Sequence, residues 1–329
     1  MANLNKLQLL KKITEAVDES GWNTSYISTV HPFKLNIYKN DIKYSVKIYI
    51  WNLTHGGGEK RPSNEYRIQV KIHENFEQES GWITLLLGWW DEVEIFTGFD
   101  FRKHLGLPGW SSSIQIKEEA LRNAYLNSFA ISDKGNQETA IAFRPDFFVE
   151  YIQNLIALHD FGQSSDDLKM LESAAGNPEL NDEDIQITDQ QRKTTAVTIK
   201  KKLRDISFRK RVLTAYSNKC AVCGIQLRLI DAAHIIPVEE NGTDETSNGL
   251  ALCALHHRAY DKGLVTVWED YSVRLNERKV TELRRVNLDG GFDNFKESLR
   301  PIILLPPAVS DRPHIEYLKR ANEIRRWHG

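Results

Sequence analysis

The chain has 329 residues, 41% of them hydrophobic and 27% charged, with a formal net charge of −2. That length is enough for two domains with separate cores. No apolar run reaches the roughly 18 residues of a membrane span, and the N-terminus lacks an apolar signal core, so a cytoplasmic protein is expected.

Residues 1–158 alternate helix and strand signals. An amphipathic helix is expected within MANLNKLQLLKKITEAVDESGW. In KLNIYKNDIKYSVKIYIWNL (34–53) the second half puts Tyr44, Val46, Ile48 and Ile50 at alternate positions, as in a half-buried strand. THGGGEKRPSN (54–64) reads as a loop, EYRIQVKIH (65–73) as a strand and WITLLLGWW (82–90) as a buried strand. Helical periodicity returns in EEALRNAYLNSF (118–129) and PDFFVEYIQNLIALHD (145–160). The pattern predicts an α+β protein whose first domain, residues 1–158, is mixed α/β.

Charge divides the rest. Residues 160–190 hold one Lys against nine acids, so 159–190 is expected to be an acidic linker with at most one short helix. Residues 191–329 carry 25 Lys+Arg and 17 Asp+Glu, a net of +8, which suits an anionic polymer. A basic helix is predicted within 191–220. It puts Phe208, Val212 and Ala215 or Tyr216 on one face and projects Lys210 and Arg211 elsewhere, as solvated charges or phosphate contacts. Further on, LVTVWEDYSVRLN (264–276) predicts a hairpin turning near Glu269–Asp270, and Pro313 marks the start of a last helix bearing Lys319, Arg320, Arg325 and Arg326.

The three cysteines, Cys220, Cys223 and Cys253, fall within 34 residues. An odd, clustered set is unlike a secreted disulfide framework. It fits either reduced core thiols or a metal site. Cys220-Ala-Val-Cys223 and Cys253-Ala-Leu-His256 share a two-residue gap, giving C-x2-C-x29-C-x2-H, the donor set of a closed structural zinc site.

Between the two knuckles lie His234 in the apolar stretch AAHIIP, a polar loop, Asn248 and then His257. This order resembles an HNH endonuclease domain, the ββα-metal fold, over about residues 195–270. The resemblance implies that His234 is the general base, since an imidazole suits proton abstraction from water near neutral pH. It implies that Asn248 orients the loop or touches the metal. It further implies a catalytic divalent ion, Mg2+ or Mn2+, held by His257 and Asp261, with Arg258 and Lys262 joining Lys210 and Arg211 as DNA contacts. Helix geometry separates the adjacent histidines: Cys253 and His256 share one face, His257 and Asp261 the next. One position departs from the commonest family pattern, because Ala233 stands where an aspartate ligand usually precedes the base.

The N-terminal domain is rich in aromatics: Trp51, Trp82, Trp89, Trp90, Phe99, Phe101 and Trp110. They are either core or the stacking walls of a pocket for a flipped base. The Gly-rich, basic loop 54–67 is a candidate phosphate contact, and the later run 108–116 is hydroxyl-rich. The domain order, a candidate recognition module, an acidic linker and then the HNH-like region, resembles restriction endonucleases, which implies an enzyme acting on double-stranded DNA, DNA with modified cytosine included, and aimed by residues 1–158. Two-strand cleavage by one-strand sites implies a homodimer or paired binding. Two alternatives stay open: a nuclease switched on by a small nucleotide bound in the N-terminal domain, and an inactive zinc-stabilised DNA-binding protein, given Ala233.

Overall fold

The computed structural model describes residues 3–55, 64–70, 78–106, 113–177 and 180–327. The chain divides into two compact units, Met1–Leu203 and Arg204–Gly329.

The first unit runs α1 (Lys6–Glu19), β1 (Asn23–Ser28), β2 (Phe33–Lys39), β3 (Ile42–Asn52), β4 (Thr54–His55), β5 (Glu65–Gln69), β6 (Ile83–Trp90), β7 (Ile95–Phe99), β8 (Ser113–Lys117), α2 (Glu118–Asn127), β9 (Phe129–Gly135), β10 (Glu138–Phe143), α3 (Phe148–Gln153), α4 (Leu155–Asp160), α5 (Ser165–Gly176) and the long α6 (Gln190–Ala215). Seven strands form one sheet in the order β1-β2-β3-β6-β7-β10-β9, antiparallel except for the β3–β6 pair, and β4-β5-β8 form a second, smaller sheet. Tyr49, Leu86, Phe99 and Ala140 from the large sheet pack with Ile68 and Ile114 from the small sheet and Leu121 of α2. The opposite face of the large sheet presents Phe96 and Phe143 to Phe148 and Tyr151 of α3, with ring centroids 4.6 to 6.2 Å apart.

Local chemistry explains most of these elements. Asn5 accepts from the Gln8 amide while the Gln8 side chain accepts from the Asn5 amide, a reciprocal cap that starts α1. The alternation at 44–50 is that of β3. The first half of that stretch is a strand as well, and the β2–β3 turn holds Asn40 at φ +52°, a region asparagine tolerates. The predicted helix 145–160 is broken at Asn154. Its side-chain amide and backbone N–H both donate to the Glu150 carbonyl, at 2.9 and 3.1 Å, so the side chain competes for a helix acceptor. β7, β9 and β10 carried no clear signal. All five residues of β7 are buried, so it lacks a polar alternation.

The acidic stretch 159–190 is not a bare tether. Ser164 caps α5 by accepting from the Asp167 amide at 3.3 Å, and Leu168, Leu171 and Ala174 are buried along one side of the helix. Ile185 and Ile187 are also buried, and Asp167 pairs with Arg192 at 2.7 Å. The acids fill the outer positions of a helix whose apolar residues recur three apart. The unit boundary instead falls inside α6, between Leu203 and Arg204. Leu171→Ala should cost the first unit about 2–5 kcal/mol, the usual penalty for emptying a buried leucine site. Urea unfolding checks this, and an unchanged midpoint would show that α5 contributes nothing to the fold.

The second unit holds the end of α6, β11 (Ile230–His234), β12 (Gly249–Cys253), α7 (Ala254–Asp261), β13 (Val265–Val267), β14 (Val273–Leu275), α8 (Glu277–Arg285), α9 (Phe292–Ser298) and α10 (Ile315–Ile324). β11 and β12 pair antiparallel with His234 opposite Gly249, and α7 follows β12 directly, which makes a ββα unit. Its core gathers Phe208, Val212, Tyr216, Cys220, Leu250, Leu252 and Tyr260. Phe208 and Val212 are buried as expected on the apolar face of the basic helix, and of the two alternatives beside them Tyr216 is buried and Ala215 half-buried. The predicted hairpin 264–276 is β13–β14, with its turn closed by Trp268 N–H donating to Ser272 O at 2.8 Å. The last helix begins two residues after Pro313, where the His314 ring accepts from the Glu316 amide at 3.3 Å. Among the described residues, no helix is long and apolar enough to cross a membrane.

Candidate active site and metal centre

The knuckle at 220–223 is a tight turn. The Gly224 amide donates to Cys220 O at 2.8 Å, and Gly224 sits at φ +82°, a conformation that favours glycine. Cys253 is the N-cap residue of α7, so His256 lies one turn along that helix. The four donor atoms of Cys220, Cys223, Cys253 and His256 all lie within 4.8 Å of one another. His256 Nδ1 is 3.6 Å from Cys220 Sγ and 3.2 Å from Cys253 Sγ, and Cys223 Sγ is 3.9 Å from Cys253 Sγ. A tetrahedral zinc with bonds of about 2.3 Å to sulfur separates its ligands by about 3.8 Å, so the donor set and its spacing fit zinc.

The surroundings prepare these donors. His256 Nε2 is 3.2 Å from Ser298 Oγ, and that hydroxyl donates to Phe295 O at 2.6 Å. With its proton committed to Phe295, Ser298 accepts from His256 Nε2–H. The lone pair on Nδ1 is thereby left facing the sulfurs, the tautomer a metal requires. Burial, together with the neighbouring Cys220 sulfur, pushes the Cys223 thiol up to about 12, and burial also raises Cys253. For Cys220 burial also opposes ionisation, but its contact with His256 and its backbone hydrogen bonds outweigh burial and hold it at about 6. Three sulfurs this close cannot all ionise unless a cation joins them.

His257 occupies the neighbouring face of α7. Its Nε2 is 3.7 Å from Asp261 Oδ2, and both side chains are accessible. Among the described residues, no third His, Cys, Asp or Glu gathers with this pair as the zinc donors do. The two residues could hold a divalent ion through one imidazole and one carboxylate, with the remaining positions left to water and substrate oxygens. Ala233 is buried and offers no donor atom, and Asp231 forms a 3.3 Å ion pair with Arg209.

His234 ends β11. Its Nε2 is 2.9 Å from Asp244 Oδ1, and its ring stacks on Phe208 with centroids 3.8 Å apart and planes 7° apart. Arg204 Nε approaches the other oxygen of Asp244 at 2.5 Å. Gly249, opposite His234, allows this packing, since a Cβ there would sit 2.3 Å from Val212 and 3.1 Å from Phe208. Asn248 is fully buried. Its Nδ2 donates to Thr243 O at 2.7 Å and to Ile236 O at 3.1 Å, and its Oδ1 accepts from the Ile236 amide at 2.9 Å. Asn248 therefore staples the loop between β11 and β12, the loop that carries Asp244.

Of the expected DNA contacts, Lys210, Arg258 and Lys262 are exposed. Arg211 is exposed too, but it donates to Asp244 O at 2.6 Å and to Ser207 Oγ at 2.5 Å, so it also braces the loop. Arg320 and Arg325, read from sequence as basic surface, are engaged as well. Arg320 donates to Glu240 O at 2.8 Å, and Arg325 lies 4.1 Å over the Tyr260 ring and donates to Ile235 O at 3.2 Å. Asp244 and Arg204 were not anticipated. The only sequence signal for Asp244 is an acid four residues before Asn248.

In the first unit, Trp89, Trp90, Phe99 and Phe101 are core. Trp51 and Trp82 are half-buried, with Lys6 Nζ 4.6 Å and Lys34 Nζ 4.9 Å above their rings. Trp110, most of the basic loop 54–67 and the start of the run 108–116 lie outside the described residues.

Residues 220–267 match the family model described as HNH endonuclease. The chain carries an HNH endonuclease domain. Residues 44–152, upstream of that domain, match the model described as Methylase-associated X1. No curated protein matches the chain. Among solved structures, a "Modification dependent TagI restriction endonuclease" is 11% identical, with 85% of this chain and 81% of that one covered. Its TM-score of 0.28 does not establish a shared fold. The HNH match spans both knuckles, the ββα unit and His234, Asn248 and His257, and so supports a DNA-cleaving hydrolase.

Proposed function

We propose that the chain is a restriction-type DNA endonuclease that hydrolyses phosphodiester bonds at a one-metal HNH site, with residues 1–158 choosing where it cuts. The observation that carries this reading is the separation of tasks along α7: Cys253 and His256, which complete the Cys3His set, on one face, and the His257–Asp261 pair on the next. In this reading His234 accepts a proton from the attacking water at Nδ1, because Nε2 faces Asp244. The Asp244 carboxylate stabilises the imidazolium that forms. Asn248 keeps the loop in register with β11. A Mg2+ or Mn2+ ion on His257 and Asp261 would supply Lewis-acid stabilisation of the phosphate and the leaving oxygen. Lys210, Arg258 and Lys262 would meet backbone phosphates.

The targeting role of residues 1–158 rests on their match to a methylase-associated family, which suits an enzyme that senses base modification. Cutting both strands would need two HNH sites, hence a homodimer. Incubating the full chain with Mg2+ or Mn2+ and matched unmodified, methylated and hydroxymethylated duplexes tests the reading. The expected result is cleavage of at least one duplex, with a preference set by cytosine modification. Equal cutting of all three would remove modification dependence, and no cutting of any of them would remove the endonuclease reading.

A further inference from the structure

We propose that Asp244, held by Arg204, is a positioning residue that fixes the tautomer of His234, and that Phe208 fixes the plane of its ring. The proposal rests on the endonuclease reading above and specifies how its base is set. An ionised carboxylate only accepts hydrogen bonds, so a 2.9 Å contact from Asp244 Oδ1 puts the imidazole proton on Nε2. The lone pair then sits on Nδ1, the nitrogen that must take the proton. A carboxylate on an open loop would rotate away from this task, but Asp244 is gripped at three points. Arg204 Nε is 2.5 Å from Oδ2, Arg211 donates to the Asp244 carbonyl at 2.6 Å, and Asn248 binds Thr243 O next door at 2.7 Å.

The grip comes from one stripe of one helix. Arg204, Phe208 and Arg211 are spaced four and three apart on α6, the spacing of a shared face. The first holds the carboxylate, the second stacks at 3.8 Å on the imidazole, and the third holds the loop backbone. The imidazole is thereby fixed in plane by the stack and in rotation by the carboxylate. With Ala233 beside it instead of an acid, Asp244 is the carboxylate that contacts His234.

The test uses the full chain labelled with nitrogen-15 at histidine, with long-range proton–nitrogen NMR reading the tautomer of His234. The wild type is expected to show the Nε2–H form and Asp244→Ala a mixture of both. In cleavage assays Asp244→Ala should lower kcat about 100-fold with KM within about twofold, the range seen when a supporting acceptor is lost. Asp244→Glu should recover part of kcat, which a purely structural role would not predict. If Asp244→Ala does not fold, Arg204→Gln keeps the carboxylate but releases it, and should lower kcat about 10-fold. A wild-type Nδ1–H tautomer, or an Asp244→Ala kcat equal to wild type, overturns the proposal. Absence of cleavage by the wild type overturns the endonuclease reading instead, and the tautomer comparison still decides the role of Asp244.

Discussion

His256→Ala is expected to lose zinc and to destabilise the second unit, whereas His257→Ala should keep zinc and melt like the wild type. The two residues are adjacent, yet their surroundings differ. His256 is 1% exposed, points Nδ1 at two sulfurs and is backed by Ser298. His257 is accessible and touches Asp261. Removing His256 leaves three thiols, two of them buried, without their nitrogen partner. It also unties the 220–223 knuckle from α7, the link that a bound ion would make. Structural zinc in small domains contributes on the order of 10 kcal/mol. The second unit also has a hydrophobic core around Val212, Leu250 and Tyr260, so a fall in melting temperature is expected rather than complete unfolding. Ser298→Ala is the graded control. It removes only the acceptor behind the ring and should weaken zinc by about 10- to 100-fold. Zinc content by atomic spectrometry and melting by calorimetry read all three variants. Zinc lost from His257→Ala but kept by His256→Ala would reverse the assignment of the pair.

The site was more legible in the sequence than the fold around it. Metal ligands must recur at fixed short spacings, so C-x2-C and C-x2-H stand out, and a helical step of about 100° separates His256 from His257 with no further information. The carboxylate behind His234 left almost no trace. Asp244 lies 10 residues along the chain from its partner and is brought back by the loop that Asn248 ties. Arg204 is 40 residues from Asp244, and one basic residue in a basic helix looks like any other. For Arg320 and Arg325, likewise, composition shows their charge but not the carbonyls they reach. In the first unit, β3 and β6 were readable because one alternates and the other is a continuous apolar run. β7 and β10 are short and largely buried, and nothing marks them apart from core. The acidic segment is a different case. Its charge suggests a linker with at most one short helix, and Leu168, Leu171 and Ala174, spaced three apart, seat that helix as α5.

His234→Ala is the substitution with the largest expected effect on cutting. Loss of a general base typically costs about 100- to 10,000-fold, and here the loss should fall on kcat, because His234 is placed to act on water and not to hold substrate. Zinc content should be unchanged, since no zinc donor touches His234. The fold should lose little, because His234 is half-buried at a strand end and its strand is still held by the β11–β12 pairing. The substitution leaves a slot bounded by the Phe208 ring on one side and the Asp244 carboxylate at its end. Both groups remain fixed from α6, so the slot keeps the shape of an imidazole. Added imidazole should therefore restore part of the cleavage by His234→Ala and none by His257→Ala, where the missing group is a ligand. Rescue of both variants, or retained cutting without imidazole, would show that the base is another residue. Rescue of His234→Ala that disappears in the double variant with Phe208→Ala would locate the restored base on that ring.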